Sequence, residues 1–163
     1  MEVIIRELRL TDFRNYSKKS FEFSPKTTLI AGSNGSGKTN ILEAVYLLST
    51  GESWRAEDAG EMVGFGSEVG HIEGEIETKD RDREKIQTTV TRGIIQGKRV
   101  AKSTYKIDGI ARHKAGFSGR FKVVLFEPES LQIIIGDPSQ RRKFLDEILK
   151  QTDKDYANSL SVY

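Results

Sequence analysis

The chain has 163 residues, 36% of them hydrophobic and 31% charged, enough to bury one good core but short for two. No apolar run approaches the ~18 residues of a membrane span, and the start Met-Glu-Val-Ile-Ile-Arg lacks the basic-then-apolar pattern of a secretory signal. Cysteine is absent, which excludes disulfides and thiol chemistry and is compatible with a reducing compartment; the cytoplasm is the default expectation.

The net charge of +2 conceals a division. Counting Lys and Arg against Asp and Glu, residues 52–84 carry about −7 and residues 92–122 about +8. An acidic segment facing one partner and a basic face for a polyanion would produce this pattern. So would strand surfaces that merely differ in sign.

In chain order, Val3 to Leu10 starts apolar and then alternates, which predicts a strand leading into Thr-Asp-Phe-Arg-Asn-Tyr. Phe21-Glu22-Phe23 is a second alternating piece, closed by a Ser24-Pro25 turn. Thr27 to Ala31 reads as a buried strand that runs into Gly32-Ser33-Asn34-Gly35-Ser36-Gly37-Lys38-Thr39, a match to the phosphate-loop pattern G-x-x-x-x-G-K-[ST]. Glycines let successive N–H groups curl around one phosphate chain, Lys38 reaches the terminal phosphates, and the Thr39 hydroxyl ligates Mg²⁺. Asn40 to Leu48 reads as the helix that follows, its N-terminal dipole turned to the phosphates. Strand, loop and helix together imply a nucleoside triphosphate site.

Thr50-Gly51-Glu52-Ser53 stops that helix, and residues 56–66 read as a short polar helix ending at Gly64 or Gly66. Strands follow: His71 to Glu77 alternates, a charged hairpin tip spans Lys79 to Arg83, and Lys85 to Thr91 returns. Ser103 to Ile107 comes after a Gly97-Lys98-Arg99 turn, and Asp108-Gly109 is a further hairpin signal. This antiparallel meander, from about residue 70 to 110, argues against a purely parallel sheet. Lys122 to Phe126 reads as a buried strand. Pro128 opens a short helix to Ile135, Asp137-Pro138-Ser139-Gln140 starts a helix running to about Gln151, and another begins near Lys154. The expected fold is α/β: a P-loop lobe with a mixed sheet plus an antiparallel layer.

On the helix from Pro138, Phe144, Leu145, Ile148 and Leu149 make an apolar face that also carries Arg141. A charge so placed needs a carboxylate, a carbonyl or a phosphate. Arg142 lies to the side, four residues from Asp146. The basic run Lys98, Arg99, Lys102, Lys106, Arg112, Lys114, Arg120 and Lys122 supplies the candidates for DNA, through phosphates and without reading sequence. Tyr105 lies beside it, but no ladder of aromatics for stacking single strands is present. His71 and His113 are isolated, so nucleotide-bound Mg²⁺ is the one metal expected.

Four stretches carry a resemblance. They are Leu8-x-Leu10-x-x-Phe13-Arg14-Asn15-Tyr16, the loop with Asn40, Thr50-Gly51-x-Ser53-x-Arg55, and the block from Pro128-Glu129 through Gly136-Asp137-Pro138-x-x-Arg141-Arg142-x-Phe144-Leu145-Asp146. Together these resemble the RecF family of DNA repair ATPases over nearly the whole chain. The resemblance implies an ABC/SMC-class head that dimerises with ATP on DNA, hydrolyses ATP between two subunits and works with recombination mediator proteins. It places Ser33, Asn34, Gly35, Ser36, Gly37, Lys38, Thr39 and Asn40 on the nucleotide, with Arg14 and Asn15 beside it, and lets Arg55 reach phosphate or DNA. Trp54 stands where the family pattern has Phe, and Glu127 where it has Ser, which leaves the γ-phosphate sensor unassigned.

A hydrolytic site of that class also needs an apolar strand ending in Asp-Glu and a Leu-Ser-Gly-Gly-Gln-like segment from the partner. Phe144-Leu145-Asp146-Glu147 imitates the first but reads as helix, and Phe117-Ser118-Gly119-Arg120 imitates the second but reads as loop. Family members are longer, so the chain is expected to be the first lobe of a head, binding nucleotide weakly and hydrolysing little by itself. The open alternatives are a head fragment of an SMC or break-repair ATPase, a DNA-binding module with a vestigial loop, and a small-molecule kinase. The kinase would need a substrate pocket and lid that the meander does not supply.

Overall fold

Alternation decides the architecture of the first 121 residues. In the computed structural model, which describes residues 3–78 and 82–160, eight strands appear: β1 (Ile4–Phe13), β2 (Tyr16–Glu22), β3 (Val69–Glu77), β4 (Arg83–Thr91), β5 (Ile94–Ile95), β6 (Lys98–Arg99), β7 (Ser103–Ile107) and β8 (Ile110–Arg112). Six of them form one sheet in the order β2-β1-β3-β4-β7-β8, and β5 pairs β6 separately. Every pairing among the described residues is antiparallel, so the layer expected over residues 70–110 extends through β1 and β2 as well. Lys79–Arg81, within the expected charged tip, lie outside the described residues.

One face of the sheet is apolar. Leu8 and Leu10, Ile72 and Ile76, Ile86 and Val90, and Ile107 are all buried, and the members of each pair stand an even number of residues apart, two or four, so they share a face. Helix α1 (Lys38–Thr50) covers this face with Ile41, Ala44, Leu47 and Leu48. The helix lies so close that a Cβ on Gly74 of β3 would stand 2.7 Å from Leu48 Cδ1. Glycine at 74 is therefore a packing requirement of the helix–sheet contact. Each fully buried leucine contributes about 1.5–3 kcal/mol through removal of its surface from water. Gly51, at φ 76°, ends α1 with its N–H on Leu47 O at 2.8 Å, and the Tyr105 hydroxyl donates to Gly51 O at 2.8 Å. Strand β7 thus holds the far end of the helix. Phe117, on the short helix α2 (Lys114–Phe117), is also buried and packs on the Tyr105 ring.

The second unit spans Lys122–Tyr163. It holds a 3-10 turn at Pro128–Leu131, then α3 (Gln132–Ile135), α4 (Pro138–Thr152) and α5 (Lys154–Leu160). The helix expected from Asp137 forms, with Pro138 in its first turn. The Asp137 side chain makes no cap bond, however; Gln140 N–H uses the Asp137 carbonyl at 3.0 Å. Of the three kinds of partner open to Arg141 it meets carbonyls, those of Ile133, Ile134 and Gly136 at 3.3–3.4 Å. Asp146 accepts from the Tyr156 hydroxyl at 2.6 Å and has no ion pair with Arg142. Phe144-Leu145-Asp146-Glu147 lies inside α4, as read from the sequence.

Two expected strands do not form. Thr27–Ala31 and Lys122–Phe126 run without strand pairing, and Leu29, Val124 and Phe126 are 88%, 71% and 76% exposed. A strand exists only against a neighbour, and none is supplied to either segment by the described residues. The polar helix expected over residues 56–66 shrinks to a 3-10 turn, Ala59–Met62, opened by a capping box between Asp58 and Glu61.

Candidate nucleotide site

The phosphate loop leaves most of its backbone donors free. Gly35 and Gly37 take φ of 79° and 100°, the left-handed region, which folds the chain back on itself before α1 begins. The N–H groups of Gly35, Gly37, Lys38 and Thr39 have no partner among the described residues. They lie at the start of a 13-residue helix, whose dipole adds positive potential there. The Lys38 ammonium donates to the carbonyls of Gly32 and Ser33, both at 2.8 Å, so it lies folded over the loop. Thr39 is exposed in the first turn, and its hydroxyl bonds nothing among the described residues. A hard cation such as Mg²⁺ takes a free hydroxyl of this kind beside phosphate oxygens, so the residues present fit it.

The turn between β1 and β2 presses on this loop. Asn15 Nδ2 donates to Ser36 O at 3.3 Å and the Tyr16 hydroxyl to the same carbonyl at 3.4 Å. Burial pushes the Tyr16 phenol above its ordinary value. Asn40, two residues into α1, donates its Nδ2 to Asn15 Oδ1 at 2.9 Å. The contact is tight enough that a Cβ on Gly37 would fall 2.6 Å from Asn15 Oδ1 and 2.7 Å from the Tyr16 oxygen.

Beneath lies a residue that the reading of the sequence passed over. Glu43 on α1 is fully buried, and Arg14 grips it with a fork, Nε to Oε2 at 2.9 Å and Nη2 to Oε1 at 2.5 Å. Ser53 donates to Oε1 at 2.6 Å, and Arg55 stands 3.6 Å from Oε2 while donating to Asn40 Oδ1 at 3.0 Å. Arg14, expected beside a nucleotide, therefore spends its guanidinium on Glu43 and on the Glu61 carbonyl at 2.8 Å. The missed signal was present: Glu43 is the one charge within the apolar stretch Ile41–Leu48.

The basic run is divided. Lys102 pairs with Asp58, Lys114 with Glu52, and Arg120 forks onto Glu84 at 2.6 and 2.7 Å. Arg92 donates to the carbonyls of Val63, Gly64 and Ser67. Much of the charge asymmetry thus resolves inside the fold, acidic segment against basic segment. Lys98, Arg99, Lys106 and Arg112 are exposed and have no ion pair among the described residues. They are not gathered on one face: Lys98 and Arg99 sit on the small β5–β6 hairpin, Lys106 points away from α1, and Arg112 is paired in register with Tyr105 on the opposite side of the sheet.

An antiparallel sheet backed by a helix, with a Gly-rich loop and its lysine at that helix's N-terminus, defines a P-loop nucleotide-binding lobe. The model for the RecF/RecN/SMC N-terminal domain matches residues 4–132, and the chain belongs to that family. It is 35% identical to the DNA replication and repair protein RecF of Agathobacter rectalis, over 99% of this chain and 42% of that one. To the protein of the same description from Lachnoclostridium phytofermentans it is 38% identical, over 99% of this chain and 43% of that one. Among solved structures, the recombination mediator protein RecF with ATPγS superposes with a TM-score of 0.85 at 33% identity, over 97% of this chain and 41% of that one. Its ATP-bound counterpart gives 0.83 at 33% identity, over 99% and 43%. The chain therefore spans about two fifths of the length of these relatives. No helix among the described residues is long and apolar enough to cross a membrane.

Proposed function

We propose that this chain is the ATP-binding lobe of a RecF-type DNA repair ATPase. The observation that carries the proposal is the loop itself, four unsatisfied N–H groups and Lys38 at the N-terminus of α1. Ser33, Asn34, Gly35, Ser36, Gly37 and Lys38 would wrap the phosphates, and Thr39 would hold Mg²⁺, which neutralises charge on the terminal phosphates. Asn15 and Asn40 brace the loop from the side, as does Arg55 through Asn40.

For the whole protein the proposal is wider: ATP-dependent self-association, contact with DNA through phosphates, cooperation with recombination mediators, and a cytoplasmic location. The exposed apolar segments Thr27–Ala31 and Lys122–Phe126 suit pairing with further strands of a larger head. Asp146 and Glu147, inside a helix, are not the acidic pair that hydrolysis requires. Calorimetry with ATP-Mg²⁺ on the parent and on Lys38→Ala tests the reading. Binding by the parent, weakened at least about tenfold in the variant, is expected. Equal heats from both would leave the loop without a role.

A further inference from the structure

We propose that Glu43 is a positioning residue for the phosphate site, one that acts by holding Arg55, and with it Asn40 and Asn15, against the loop. The inference rests on the nucleotide reading above.

Glu43 is buried and charged, an arrangement that survives only where cations and donors surround it. Two guanidiniums and one hydroxyl do so, and the two guanidiniums differ. Arg14 is forked onto both oxygens and only 18% exposed, whereas Arg55 makes one longer contact of 3.6 Å and is 40% exposed. Arg14 is thus held by geometry and charge together, and Arg55 mainly by charge.

What Arg55 touches next is the phosphate site. Its Nη1 bonds Asn40 Oδ1, Asn40 bonds Asn15, and Asn15 bonds the Ser36 carbonyl inside the loop. A buried carboxylate in the middle of α1 is in this way connected through three side chains to the backbone that would wrap the phosphates. Ser53 adds a second tie, since its hydroxyl donates to Glu43 and accepts from the N–H groups of Arg55 and Ala56. The turn carrying Arg55 is therefore fixed by the same carboxylate.

The sign of the effect separates this role from simple electrostatics. A negative charge near a triphosphate repels it, so neutralising Glu43 through the field alone would tighten ATP binding. If Glu43 acts by position, the same change loosens Arg55 and weakens binding.

The chain's single tryptophan, Trp54, lies between Ser53 and Arg55 and meets the Tyr46 ring edge-on at 5.3 Å, so its emission reports on this turn without any ligand. Glu43→Gln is the test, because it keeps the shape and removes the charge. The expected result is a shift of Trp54 emission without ligand, ATP-Mg²⁺ affinity about tenfold weaker, and no further loss when Arg55→Ala is added. Arg55→Gln, which leaves the Arg14 fork intact, should reproduce both changes and serves if Glu43→Gln does not fold. Unchanged emission, unchanged or tighter ATP binding, or losses that add in the double variant would each overturn the proposal. A parent that binds no ATP defeats the nucleotide reading instead, and the ligand-free Trp54 response then decides by itself whether Glu43 holds the turn.

Discussion

Asn15 sits directly over Gly37, its amide so near that any Cβ at position 37 would come within 2.6–2.8 Å of both side-chain heteroatoms. Gly37 also takes φ 100°, where a side chain costs about 1–3 kcal/mol of strain. Gly37→Ala should therefore destabilise the fold by about that amount and weaken ATP-Mg²⁺ binding at least about tenfold, because the turn at Asn15 must lift off the loop. Denaturant melts and calorimetry read the two effects separately. Binding equal to the parent's would mean that the turn does not brace the loop.

The ion pairs between the acidic and basic segments sort the cations by what they can still do. Lys102 and Lys114 already face Asp58 and Glu52, whereas Lys98 and Arg99 face solvent. If the protein binds DNA through phosphates, Lys98→Ala combined with Arg99→Ala should lower the slope of log affinity against log salt by about 2. Lys102→Ala combined with Lys114→Ala should lower it by less than about 1, since each removes a charge already countered. Anisotropy titrations across a salt series distinguish the pairs. Equal slopes for the two variants would refute the sorting.

The elements that were legible in the sequence are those whose pattern is local. Strands β3, β4 and β7 follow from alternation, and the β7–β8 turn from Asp108-Gly109, which take φ of 49° and 76° as a tight hairpin demands. Strand β2 is legible only at its end, because Ser17-Lys18-Lys19-Ser20 on an edge strand has no buried side to impose a pattern. Thr27–Ala31 and Lys122–Phe126 differ for another reason: apolar content alone does not make a strand, and no neighbour pairs with either segment among the described residues. In the site, the loop and its place ahead of α1 were legible from the glycine, lysine and threonine spacing. The Glu43 network was not, since Arg14, Glu43, Ser53 and Arg55 belong to segments that no periodicity relates.

The solvent face of the sheet carries a ladder of charges whose response to acid can be signed. Burial pushes the Glu73 carboxyl up, but hydrogen bonds from Lys85, Arg9 and Gln87 outweigh it and hold the group below its ordinary value. Glu7 is held below as well, chiefly by the Ser20 hydroxyl and then by Arg9. A carboxylate with a depressed folded value stabilises the fold above its unfolded value and loses that contribution as pH falls through the folded one. The melting temperature should hold between about pH 7 and 5 and drop below about pH 4. Glu73→Gln should flatten the drop in melts followed by circular dichroism, and an acid limb as steep as the parent's would remove Glu73 from the account.

The contact between Gly74 and Leu48 fixes how close α1 lies to the sheet, and it makes an unusual prediction about additivity. Leu48→Ala empties a fully buried site and should cost about 2–5 kcal/mol. Gly74→Ala inserts a methyl group 2.7 Å from Leu48 Cδ1 and should cost about 1–3 kcal/mol through overpacking. In the double variant the new methyl enters the space that Leu48 has vacated, so the loss should be smaller than the sum of the two by about 0.5–3 kcal/mol. Urea melts of the four proteins measure this coupling directly. Strict additivity would mean that the helix does not rest on Gly74, and the closeness of α1 to the sheet would then need another cause.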